Sequence, residues 1–132
     1  MEEYKGKIKF YLINYPYKYR DFAFISAEAL LAAGDQGKYW EMHDILLENS
    51  PDLSREKLIA YAAEIGIDVK KFTADLDAMK HKVRIDSDVD KAVKFDFYNT
   101  PTFVINGRIV IGNVPYKHLK KVVEEELADA GP

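Results

Sequence analysis

Few side chains in this sequence combine a reactive type with a spacing that chemistry requires. Asp86-Ser87-Asp88-Val89-Asp90 imitates the first five positions of a calcium loop, where alternating carboxylates converge on one cation. Its sixth position is Lys91 rather than the glycine of the sharp turn, and its twelfth is Phe97 rather than a bidentate glutamate. The run therefore reads as the solvated face of a helix. His43, His81 and His118 are far apart, and no pair has the i, i+4 spacing of a helical metal site, so ordinary hydrogen bonding is expected of each. Neither a glycine-rich phosphate loop nor a serine elbow is present. The cysteine count is zero, which excludes disulfides, thiolate metal ligands and a cysteine nucleophile. No metal or other cofactor is expected. Two features remain. Trp40, beside a helical apolar stripe, is expected to anchor one helix to another rather than to serve as a substrate platform. Thr100-Pro101 stands directly before a strand, where a residue without an amide donor belongs.

The elements that must position these residues follow from pattern. Lys7–Asn14 alternates Ile8, Phe10 and Leu12 with Lys7, Lys9 and Tyr11, which predicts a strand that stops before Pro16. Tyr17–Asp21 is a polar, tyrosine-rich connection. Phe22–Ala33 has helical spacing, and Gly34-Asp35-Gln36-Gly37 breaks it. A second helix, Lys38–Glu48, puts Tyr39, Met42, Ile45 and Leu46 on one stripe. Ser54 caps a third helix with Leu53 and Leu58 as its staple, and Gly66 ends it. Asp68 caps a short helix to about Met79. A longer helix over about Lys80–Tyr98 is expected to bury Val83, Val89, Val93 and Phe97. Thr102–Ile105 and Arg108–Ile111 flank Asn106-Gly107, a two-residue hairpin signal. Pro115 opens a last helix that buries Leu119, Val122, Val123 and Leu127.

The order strand, helices, hairpin, helix predicts an α/β domain with helices on a small sheet. The 132 residues, 48% hydrophobic and 31% charged, suit one soluble domain without repeats or linkers. Nineteen basic against 22 acidic residues, a net charge of −3, gives no excess positive charge for phosphates, so nucleic acid is not an expected partner. Apolar runs are too short for a membrane span. Met1-Glu2-Glu3-Tyr4-Lys5 does not read as a signal peptide, and a chain without thiols suits oxidising and reducing compartments alike, so location stays open.

Taken together, the segments resemble the DsbA-like branch of the thioredoxin-fold thiol–disulfide oxidoreductases. Gln36-Gly37-Lys38-Tyr39-Trp40-Glu41-Met42-His43-Asp44 is similar to that family's helical-insert signature, and Ile65-Gly66-Ile67-Asp68 with Phe72 to the segment after it. Asn99-Thr100-Pro101-Thr102-Phe103-Val104-Ile105-Asn106-Gly107 resembles its cis-proline strand and hairpin, and Gly112 with Pro115–Leu127 its closing helix. Asn99 stands where the family usually has glycine. The resemblance covers about residues 7–127 and implies an incomplete thioredoxin-like fold in one domain, 1–132, with a helical insertion over about 20–98. It also implies that Thr100-Pro101 is cis and that Asn99, Thr100 and Pro101 hold an extended peptide of a protein substrate.

In that family a strand and a Cys-x-x-Cys helix precede the region seen here, so the redox motif is expected to be absent by truncation. The evolutionary function implied is exchange on protein disulfides, and this chain is expected to be redox-inactive because exchange needs a thiolate. The absent strand is central in the family. Its loss is expected to be repaired either by Ile8–Ile13 pairing antiparallel with the hairpin or by two chains exchanging elements or pairing edge to edge, which predicts a homodimer. Two alternatives stay open: a non-catalytic peptide- or strand-binding module, and a fragment of a kappa-type glutathione transferase or hydroxychromene-carboxylate isomerase.

Overall fold

The computed structural model describes residues 2–130. After a 3-10 turn at Glu2–Tyr4 come α1 (Ala23–Gly34), α2 (Tyr39–Asn49), α3 (Arg55–Glu64), α4 (Val69–Asp77) and α5 (Lys82–Lys94). The hairpin β1 (Thr102–Ile105) and β2 (Arg108–Ile111) and the helix α6 (Tyr116–Asp129) follow. The described residues divide into two compact units, Ile13–Lys91 and a second made of residues up to Leu12 together with those from Ala92 onward.

The first unit is helical, and its ends follow from capping. Ser54 Oγ accepts the Lys57 N–H, and Asp68 Oδ1 accepts the Lys71 N–H at 2.9 Å, each satisfying a donor that helix geometry leaves orphaned. Gly66, at φ +75°, closes α3: the Ile67 N–H reaches the Ala62 carbonyl and the Gly66 N–H the Ala63 carbonyl. The core gathers Ala29, Ala32 and Ala33 of α1, Met42 and Leu46 of α2, Leu58 and Ala62 of α3, and Phe72 and Leu76 of α4. Alanines let α1 approach its neighbours closely. The stripe expected on α2 is the one that packs, with Met42 and Leu46 buried and Tyr39 and Ile45 half-buried.

Trp40 does not do the anchoring expected of it. It is 45% exposed and lies edge-on to Tyr39 and His43. Tyr39 takes that role, since a methyl at Gly34 would stand 3.1 Å from Tyr39 Cδ2 and glycine is what admits the ring.

The helix expected over Lys80–Tyr98 is shorter, and its buried face differs. Met79 and Asp96 both adopt left-handed backbone, and each forms the closing hydrogen bonds that glycine made at Gly66. Those two turns confine α5 to Lys82–Lys94. Ile85, Asp88 and Ala92 are its buried residues, whereas Val83 and Val93 are exposed. Ile85 packs with Ala27 and Leu31 of α1, which sets the rotation of the helix.

In the second unit the hairpin has the expected limits. Phe103 faces Val110, Val104 faces Ile109, and Asn106 and Gly107 both take positive φ, as a primed two-residue turn demands. On α6, Val122 is buried and Leu119, Val123 and Leu127 are half-buried. Arg108 pairs with Glu125 at 2.6 Å, the Tyr116 hydroxyl donates to Glu3 at 3.0 Å, and Lys120 pairs with Glu3. The strand expected at Lys7–Asn14 is not a strand. The one sheet among the described residues is two-stranded, β1 with β2, so Ile8–Ile13 does not pair with the hairpin either. Alternation supplied one face of a strand, but a strand exists only through a ladder partner.

Candidate functional site

The predicted substrate-binding residues lie together between α5 and β1. Asn99, Thr100 and Pro101 are all exposed. The turn is pinned at both ends: the Pro101 carbonyl accepts the Gly112 N–H at 2.7 Å, and the Thr102 hydroxyl donates to the Asn99 carbonyl. Gly112 sits at φ +89°, a conformation open to glycine, and thereby brings the exit of β2 back onto the start of β1. The Thr100–Pro101 peptide is cis, as is Ser50–Pro51.

Beyond the turn the hairpin has two unlike faces, because side chains alternate along each strand and opposed residues share a face. Phe103 and Ile105 share theirs with Val110 and Arg108, and through Arg108 that face meets Glu125 of α6. Val104, Ile109 and Ile111 occupy the other, and each is more than half exposed. β1 pairs with β2 along one edge, and its other edge has no ladder partner among the described residues. An unpaired edge beside an exposed apolar face can take up an extended backbone, with main-chain bonds for affinity and side-chain contacts for selection. The side chains of the turn are an amide, a hydroxyl and a pyrrolidine ring. None of these attacks sulfur.

The other candidates take structural places. Asp86 pairs with Lys82, Asp88 turns inward to Asn14, and Asp90 is exposed, so the calcium-like run is one helix with its carboxylates dispersed. His43 Nδ1 lies 2.9 Å from Asp44 Oδ1 at the surface, and the His118 N–H donates to the Pro115 carbonyl in the first turn of α6. Among the described residues no group of three or more side chains is arranged to hold a metal ion. Gln36 of the insert signature is a clamp. Its Oε1 accepts the Asp68 N–H at 2.9 Å and its Nε2 donates to the Asp68 carbonyl at 3.2 Å, tying the α1–α2 turn to the start of α4. Sequence reasoning missed two buried acids, Glu28 and Asp88. The available signal for Glu28 was a single charge inside the apolar run Ile25–Ala33.

This combination of helical unit, hairpin and closing helix is the thioredoxin-like fold of DsbA-like proteins. The chain belongs to the thioredoxin family, whose model, described as Thioredoxin, matches residues 1–125. Among solved structures it is similar to the thiol-disulfide exchange protein alpha-DsbA2 from Wolbachia pipientis, with a TM-score of 0.81 and 25% identity over 92% of this chain and 67% of that one. A thioredoxin-like oxidoreductase from Silicibacter pomeroyi DSS-3 gives a TM-score of 0.76 and 28% identity, covering 90% of this chain and 67% of that one. The probable disulfide bond formation protein D of Bacillus anthracis is 30% identical over 137 residues, 96% of this chain and 62% of the relative. The Na(+)/H(+) antiporter NhaA 1 of Salinispora arenicola (strain CNS-205) is 39% identical over 107 residues, 81% of this chain. The chain thus spans less than two thirds of these curated relatives, and only 16% of the antiporter. No helix among the described residues is long and apolar enough to cross a membrane.

Proposed function

We propose that these residues form the substrate-holding scaffold of a DsbA-like thiol–disulfide oxidoreductase, in which Asn99, Thr100, Pro101 and the free edge of β1 receive an extended segment of a protein substrate. The observation that carries this reading is the exposed, doubly pinned Asn99–Pro101 turn leading into an unpaired strand edge, in a chain similar to proteins named for disulfide chemistry. Exchange needs a thiolate that attacks a disulfide sulfur, and none of the 132 residues supplies one. Alone, the chain holds substrate without turning it over. Ion transport is not part of the reading, since the likeness to the antiporter involves a small share of that protein.

The test pairs two measurements. In dithiothreitol-driven insulin reduction the chain should match a buffer control. An extended, fluorescently labelled peptide from an unfolded protein should bind, and Thr100→Arg should weaken it at least about tenfold, as losing ~1.4 kcal/mol requires. Turnover above the control, or binding indifferent to the substitution, overturns the reading. Exposed Ile8, Phe10, Val104, Ile109 and Ile111, all in one unit, support a homodimer. Sedimentation velocity should give about twice the chain mass at micromolar concentration, and a monomer there refutes it.

A further inference from the structure

Buried groups that change charge meet where α1 touches the start of α5. Glu28, in the middle of α1, is 1% exposed. Its Oε2 accepts the backbone N–H of His81 at 3.0 Å, and its Oε1 is buried without a hydrogen-bond partner among the described residues. The His81 carbonyl accepts the Ile85 N–H at 2.9 Å, so His81 opens α5. Its ring is nearly buried, with Nε2 3.2 Å from Asp35 Oδ2 and likewise without a hydrogen bond.

The charges facing this seam come from three helices and a connection: Glu28 and Asp35 of α1 and its cap, Lys71 and Asp75 of α4, Lys80 and His81 between, and Lys82 and Asp86 of α5. Most are already matched. Lys80 binds Asp35 at 2.8 Å and Asp75 at 3.1 Å, Lys71 binds Asp75 at 3.0 Å, and Lys82 binds Asp86. Glu28 Oε1 and His81 Nε2 hold the unmet capacity.

Of the two, Glu28 gains from a proton. The proton removes a buried charge that carries an unsatisfied oxygen. We propose that Glu28 is a proton-responsive latch between α1 and the first turn of α5: acidification neutralises it and stabilises the chain with it in its buried place, and alkalinisation ionises it there and destabilises that place.

Burial outweighs the hydrogen bond from the His81 N–H, which favours the ionised carboxyl. Burial pushes the Glu28 carboxyl up, so the stability it contributes is present at acid pH and is lost as pH rises through its folded-state value. The Lys80 ammonium holds Asp35 down, so its contribution has the opposite sign and is lost as pH falls through its folded-state value.

Thermal unfolding of the intact chain between pH 4.5 and 8, the window that opens at the ordinary carboxyl value of 4.5, tests the latch. The midpoint should fall by about 3–5 °C as pH rises, between the shifts usual for shorter and for longer domains. Glu28→Gln keeps an acceptor for the His81 N–H and should remove at least about half of the slope. Equal slopes in the two proteins, or no slope in the native one, overturn the proposal. Should the variant not fold, an NMR titration of the native chain decides: the Glu28 carboxyl and the Ile85 amide must shift with one midpoint, and independent midpoints refute the latch.

Discussion

Phe72→Ala will lower the unfolding free energy by about 3–5 kcal/mol, a large part of the ~5–15 kcal/mol that holds most domains together. Phe72 is completely buried and is the largest such side chain. It lies among Leu58 and Ala62 of α3, Leu76 of α4 and the alanines of α1. Those neighbours are short or already engaged, so the void left by the ring has little to fill it, and the cavity cost adds to the lost transfer free energy. Urea unfolding followed by circular dichroism should show the midpoint falling with the slope unchanged. Val83→Ala, on the exposed face of α5, should stay within about 0.5 kcal/mol of the native chain. A loss below about 1 kcal/mol at Phe72 would mean that the helical core is not packed as described.

How much could be read without coordinates depended on whether the deciding partner was near in sequence. The hairpin was fully legible, because Asn106-Gly107 fixes turn and register within ten residues. Helix ends were legible where a side chain or a glycine closes them, as at Ser54, Asp68 and Gly66. They were not legible at Met79 and Asp96, which take the same left-handed backbone without being the residue that advertises it. Lys7–Asn14 has the alternation of a strand and, among the described residues, no ladder partner to make it one. The Asn99–Pro101 turn was placed by likeness to a family rather than by periodicity. Glu28 and Asp88 escaped notice because the groups that receive them are 53 and 74 residues away, and charged residues in helices ordinarily face water.

Asp88→Ala tests that last kind of contact and should cost about 2–4 kcal/mol. Asp88 Oδ2 accepts both the backbone N–H of Asn14 at 3.2 Å and its side-chain Nδ2 at 3.3 Å, and both residues are buried. Lys91, 3.7 Å from Oδ1, is largely in water and contributes little to the pair. Removing the carboxylate therefore leaves two buried donors unsatisfied, and the penalty is their desolvation rather than the loss of an ion pair. Asp88→Asn retains one acceptor and should cost roughly half as much. Asn14→Ala removes the side-chain donor, so combined with Asp88→Ala it should cost less than the two separate losses added together, a coupling that chemical denaturation of the four proteins measures. Strict additivity, or an Asp88→Ala loss no larger than that of Asp90→Ala two residues on, would show that the buried carboxylate does not hold the end of the Lys7–Asn14 segment.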